Sequence, residues 1–137
     1  MRRATQAVTI GFAGMLAFQV ALAAGAPLGH AAWGGAHAHL STAQRVGSAV
    51  SVAFYGLAIV VVRSRAAGRV ERRYRWATWG LVGILGISAL MNAASSSLWE
   101  RYLLAPVALV LAALCAVVAH KASRSTAHPT SVRPLLN

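Results

Sequence analysis

Four long apolar stretches, Ala4 to Ala24, Gln44 to Val62, Trp76 to Ala94 and Tyr102 to Ala119, alternate with short segments that hold nearly every Arg and Lys. Crossing about 30 Å of hydrocarbon at about 1.5 Å per residue takes about 20 mostly apolar residues, so each stretch reaches or approaches the length of a membrane span. Backbone amides in lipid must be satisfied within their own segment, and the alternating pattern of barrel strands does not occur, which leaves helices. The pattern therefore predicts an all-α chain, a four-transmembrane-helix bundle with antiparallel up-down topology. Residues 1–122 form its single domain, and 123–137, rich in Ser, Thr, Arg and Pro, are expected to be a disordered tail.

Charge gives the spans a direction. Arg2 and Arg3 precede the first, Arg63, Arg65, Arg69, Arg72, Arg73 and Arg75 fill the link between the second and third, and Lys121, Arg124 and Arg133 follow the fourth. Only Arg45 and Arg101 lie at the opposite ends. Positive residues stay inside, so both termini and the arginine link are expected in the cytoplasm, with the loops around His37 and Trp99 outside. This topology accounts for the net charge of +11 without a nucleic acid, and none is expected as a partner. The expected partners are membrane lipids, with acidic headgroups drawn to the Arg63 to Arg75 link by on the order of 1 kcal/mol per arginine. The first span, which opens Met-Arg-Arg and ends in small residues from Ala21 to Ala26, also fits a cleaved secretory signal. Its apolar core exceeds the roughly 7 to 15 residues of such signals, which favours a retained span.

The longest outer segment, Gly25 to Thr42, is broken by Pro27, Gly29, Gly34 and Gly35, while Trp33 suits the membrane interface. Ser41 or Thr42 is placed to cap the second helix, with no acidic residue to complete a capping box. Ala13, Ala17 and Ala21 recur at every fourth position, and Gly80, Gly83 and Gly86 at every third. Each set lets another backbone approach closely, either within one bundle or between copies, so a homo-oligomer or a membrane partner subunit is open.

Direction also assigns depth. Gln19, Ser48, Ser51, Ser88 and Asn92 all fall in the outer halves of the first three helices, and steps of four put Ser88, Asn92 and Ser96 on one face. With Trp33 they are the candidate ligand-binding residues of an outward crevice, roofed by the loop. The competing reading is polar contact between helices, at about 0.6 kcal/mol each. His30, His37 and His39 are the candidate metal ligands, for zinc, copper or haem, supported by no nearby Cys or acid except Glu100 if the two outer loops meet. Ordinary loop histidines are the reading adopted. Glu100 is the only outer acid and is expected to pair with Arg45 or Arg101; reaching into the crevice instead, it and Asn92 become the catalytic candidates. No hydrolytic constellation occurs. Cys115 is the only cysteine, which excludes an internal disulfide and the thiol-redox pair of membrane disulfide-forming enzymes, and it is expected to pack as a small apolar residue.

The run from Phe18 through Gln19 to Pro27, the Ala32-Trp33-Gly34-Gly35 segment, Asn92 with its serines, Glu100-Arg101 and Pro106-Val107 together resemble uncharacterised small four-helix membrane proteins of high-GC bacteria, over most of residues 10 to 119. The resemblance implies a bacterial cytoplasmic (inner) membrane protein of four spans and emphasises Gln19, Trp33, Asn92, Glu100 and Arg101; it implies no reaction or cofactor. The leading expectation is a non-enzymatic protein that binds a small ligand, lipid or partner subunit at its exterior face. Alternatives are an oligomeric small transporter or channel, and a membrane-embedded enzyme acting on an isoprenoid or lipid. Compact multidrug exporters depend on an acid in their first helix, where this chain has Gln19.

Overall fold

Helix α1 runs Arg2–Ala24, α2 Thr42–Ala66, α3 Arg72–Ala93 and α4 Ala105–Arg124. A short 3₁₀ turn, Gly29–Ala31, lies in the first loop, and a π turn, Glu100–Leu104, leads into α4. This computed structural model describes residues 2–69 and 71–124. The tail expected over 123–137 lies outside them from residue 125 onward. Among the described residues there is no strand, and the four helices are long and apolar enough to cross a membrane.

The helix ends follow local chemistry. Gly25, at φ 95°, ends α1, with Gly25 N–H on Leu22 O at 3.0 Å and Ala26 N–H on Ala21 O at 3.0 Å. Gly68, at φ 86°, ends α2 in the same way, through Gly68 N–H to Arg65 O and Arg69 N–H to Ser64 O, each 3.2 Å. Both are paired closures that need a left-handed residue just past the helix, where glycine costs least. At the start of α2, Ser41 Oγ accepts from Gln44 N–H at 3.3 Å, and Ser41 N–H donates to Gln44 Oε1 at 2.9 Å. The capping box missing from the acid pattern is thus completed by an amide, which accepts the same bond without a charge. Helices also run past the apolar stretches: α2 continues through Arg63 and Arg65 and α3 begins at Arg72, so the expected Arg63 to Arg75 link shrinks to 67–71.

All four helices contribute to one core, with Val8 and Phe12 from α1, Ala58 and Val62 from α2, Leu81 and Leu85 from α3, and Leu111, Cys115 and Val118 from α4. Cys115 is fully buried there as a small apolar group. The closest pairings are α1 with α2 and α3 with α4. Toward one end Arg45 reaches Ala23, and further along Phe12 meets Tyr55 with ring centroids 6.0 Å apart. Near the arginine end Trp79 sits edge-on to His120 at 5.0 Å.

Large apolar residues also cover the outside, among them Ile10, Leu57, Ile87, Leu90, Met91 and Leu109. Inside and outside therefore differ little in polarity, and fit rather than hydrophobicity sorts the faces. The small-residue stripes illustrate this. Ala13 and Ala17 are exposed, and a Cβ placed on Gly80, Gly83 or Gly86 would meet nothing within 4 Å. Among the described residues neither stripe makes a close helix contact; between helices the close approach is at Gly11, whose Cβ position lies against the Leu111 side chain.

Candidate functional site

The first loop folds back over one end of the bundle and is fastened there. Gly29 N–H donates to Ala38 O at 2.8 Å, closing the loop on itself, and a Cβ on Gly29 would strike the carbonyls of His37 and Ala38. Trp33, Gly34 and Gly35 then follow one another in the left-handed region, at φ 55°, 82° and 72°. Two of these are glycines, for which that region is easy; Trp33 is strained, by about 1 kcal/mol or more. Its indole offsets the strain, since the ring lies against Gly47, where an added Cβ would come within 2.5 Å of it, and its Nε1–H donates to Ser48 Oγ at 3.1 Å. Ser48 is fully buried, so this bond satisfies a hydroxyl that would otherwise be desolvated alone.

The second loop supplies the opposing half. Gly34 N–H lies 3.2 Å from both carboxylate oxygens of Glu100, and the Ser95 hydroxyl donates to Oε2. Ser96 Oγ donates to Gly34 O at 3.2 Å and Ser97 Oγ to His30 O at 2.8 Å. Glu100 is 8% exposed. The expected pairing of Glu100 with Arg45 or Arg101 does not form. Arg45 Nε donates instead to Ala23 O at 2.9 Å and Arg101 Nη2 to Ser95 O at 2.8 Å, each satisfying carbonyls at a helix end. Among the described residues the one ion pair joins Arg73 to Glu71, at 2.6 Å and exposed.

The sequence carries a local signal for this arrangement. Ser97-Leu98-Trp99-Glu100 is a capping-box pattern. Ser97 Oγ duly accepts from Glu100 N–H at 3.4 Å, but Ser97 N–H donates to Ser95 Oγ at 3.1 Å in place of the Glu100 carboxylate. That substitution frees the Glu100 carboxylate to reach across to Gly34. The π turn begins at this residue, with Ala105 N–H bonding to Glu100 O. Pro106 follows immediately and has no N–H of its own to give, so the widened turn absorbs the register change that the proline forces.

The remaining candidates do not converge. Ser51 Oγ donates to Gly47 O, one turn back on its own helix, at 3.0 Å. Gln19 is half-buried in α1, and its Oε1 is buried with no hydrogen-bond partner among the described residues. Ser88 and Asn92 are half-buried on α3 and join neither Trp33 nor Glu100. The two loops at this end do meet, yet among the described residues no three His, Cys, Asp or Glu side chains gather to hold a metal. His30 Nδ1 lies 2.9 Å from Gly35 O, while His37 and His39 are exposed. The side chains at this end hold the loop in place: the carboxylate oxygens face three donor contacts, and the Trp33 indole is seated on Ser48 beneath the loop. No protein family model, no curated protein and no solved structure matches the chain.

Proposed function

We propose that this chain is a non-enzymatic integral protein of the bacterial cytoplasmic membrane, with four antiparallel up-down spans, and that it engages a partner subunit or lipid through the loop end of the bundle. In this reading the arginine link and both termini face the cytoplasm and the fastened loops face outward, as the positive-inside rule requires. The observation that carries it is the Glu100 to Gly34 fastening. Of the polar groups expected to line an open ligand crevice, Trp33 and Ser48 are instead occupied in holding the loop as a cap, which favours recognition by the cap surface over a pocket. Leu28, Trp33, Leu98 and Trp99 are exposed there beside His37 and His39. A preorganised surface of aromatic and aliphatic groups binds with little further loss of conformational entropy.

Two measurements test this. With Cys115→Ala as background, His37→Cys should react with a membrane-impermeant maleimide in intact cells and Ala67→Cys should not; the reverse pattern would invert the topology. A photo-crosslinker at position 37 should then give a discrete adduct that Glu100→Ala abolishes. Loss of the cap with the adduct intact would sink the recognition role.

A second reading, an oligomeric transporter or channel, is favoured by the Gly80, Gly83 and Gly86 stripe, where among the described residues nothing lies within 4 Å of an added Cβ. Four helices of this length enclose no pore alone, so copies would have to associate. A monomer by native mass spectrometry removes this reading.

A further inference from the structure

We infer that the cleft between α1 and α2 at the arginine end is a binding site for the phosphate headgroup of an anionic phospholipid. The inference rests on the membrane insertion proposed above, and assigns one groove to what the basic link otherwise does diffusely. An open cleft of about 680 Å³ lies there, lined by Arg2, Thr5, Gln6, Thr9, Ile10, Arg63 and Ala66. Its size falls in the range of ligand sites, roughly 300 to 1,000 Å³.

Three features select the occupant. The α1 contributors are spaced by three and four, so one stripe of that helix presents a guanidinium, two hydroxyls and an amide, and α2 adds Arg63 across the groove. No acid lines the cleft, and Glu71, the one acid at this end, is held by Arg73. Guanidinium pairs with hydroxyl donors are the chemistry that recognises phosphate. The third feature separates a lipid from free phosphate. From Arg2 to Ile10 the groove descends about 12 Å along the helix, from a charged mouth to an isoleucine that is 72% exposed. Val60 and Leu57, one and two turns from Arg63 on α2, are exposed in continuation. A soluble anion uses only the mouth; a phospholipid uses the whole descent, with an acyl chain along the apolar part.

The full chain, placed in nanodiscs of phosphatidylcholine containing a minority of phosphatidylglycerol, should retain phosphatidylglycerol when released for native mass spectrometry. Arg2→Gln with Arg63→Gln should weaken that retention by about fivefold per arginine, about 25-fold together, given the usual attraction of a surface arginine to anionic lipid. Thr5→Val with Thr9→Val should weaken it with charge unchanged. Arg72→Gln with Arg75→Gln, the same charge loss outside the cleft, should leave it intact; equal loss in both arginine pairs overturns the site. Inorganic phosphate added to discs of phosphatidylcholine alone should not bind with the same arginine dependence, and if it does the lipid assignment is overturned. Insertion is read separately by resistance to alkaline extraction. Lost selectivity in an inserted protein overturns the cleft, whereas extraction overturns the membrane reading and the cleft with it.

Discussion

Replacing Glu100 with alanine should release the loop around Gly34 while leaving the four helices assembled. The carboxylate is 8% exposed and accepts from Gly34 N–H, shared between both oxygens at 3.2 Å, and from the Ser95 hydroxyl. A hydrogen bond to a charged group contributes about 1.5 to 3 kcal/mol, and the shared, rather long Gly34 contact belongs at the low end. Losing both donors' acceptor therefore costs about 3 kcal/mol of local stability, a factor of roughly 10² in the opening equilibrium. Glu100→Gln keeps one acceptor oxygen and should cost about half as much, roughly a tenfold change. The Trp33 to Ser48 and Ser97 to His30 bonds remain, so opening is confined to the part of the loop that follows Trp33. Hydrogen exchange read by mass spectrometry over residues 29–38 measures this directly, with Glu71→Gln as a control because the Glu71 carboxylate is exposed and pairs with Arg73 at the other end of the bundle. Unchanged exchange in both Glu100 variants, or equal acceleration in every helix, would refute the view that this carboxylate is the local fastener.

Gly47→Ala should push the Trp33 indole from its seat, since the new Cβ would lie 2.5 Å from the ring, and cost about 1 kcal/mol as the Ser48 bond is lost; in a Trp33→Phe background the thermal midpoint should no longer respond. Ser41→Ala should remove one side of the α2 capping box and destabilise by about 1 kcal/mol in thermal unfolding by circular dichroism, with Gln44→Ala less than additive on top of it. Gly83→Ile meets open space, so folding should stay within about 0.5 kcal/mol of wild type, while any self-association through that face should disappear in native mass spectrometry.

The four long helices were legible because helix length in an apolar run is a local property. Their ends were nearly so: Gly25 and Gly68 close α1 and α2 as glycines past a helix do, and the arginines extended α2 and α3 beyond the apolar stretches because a charged side chain past the span still favours helix. Glu100 stands out in the sequence as the one acid among the loops of its end, but its partner is not legible there. Charge suggested Arg45 or Arg101, but both arginines are closer to helix-end carbonyls, and the carboxylate found a backbone amide on Gly34, 66 positions away. Gln19, Ser88 and Asn92 were expected at one depth with Ser48 but do not converge on a site with it, because position along a helix is read from the sequence whereas convergence depends on how each helix is rotated.

By itself the order of residues determined four long apolar helices, the breaks between them and the concentration of arginine at one end, since each follows from hydropathy, turn chemistry and charge over a few neighbouring positions. Only the tertiary structure decided that the Gly80, Gly83 and Gly86 face points outward, that Gly11 and Gly47 are the close approaches, and that Trp33 and Glu100 lock the first loop over the bundle. The physical reason is common to all three. Where inside and outside are equally apolar, no periodicity marks which face turns inward, and where a loop donates backbone N–H groups, every residue type offers the same donor until the fold brings one within reach.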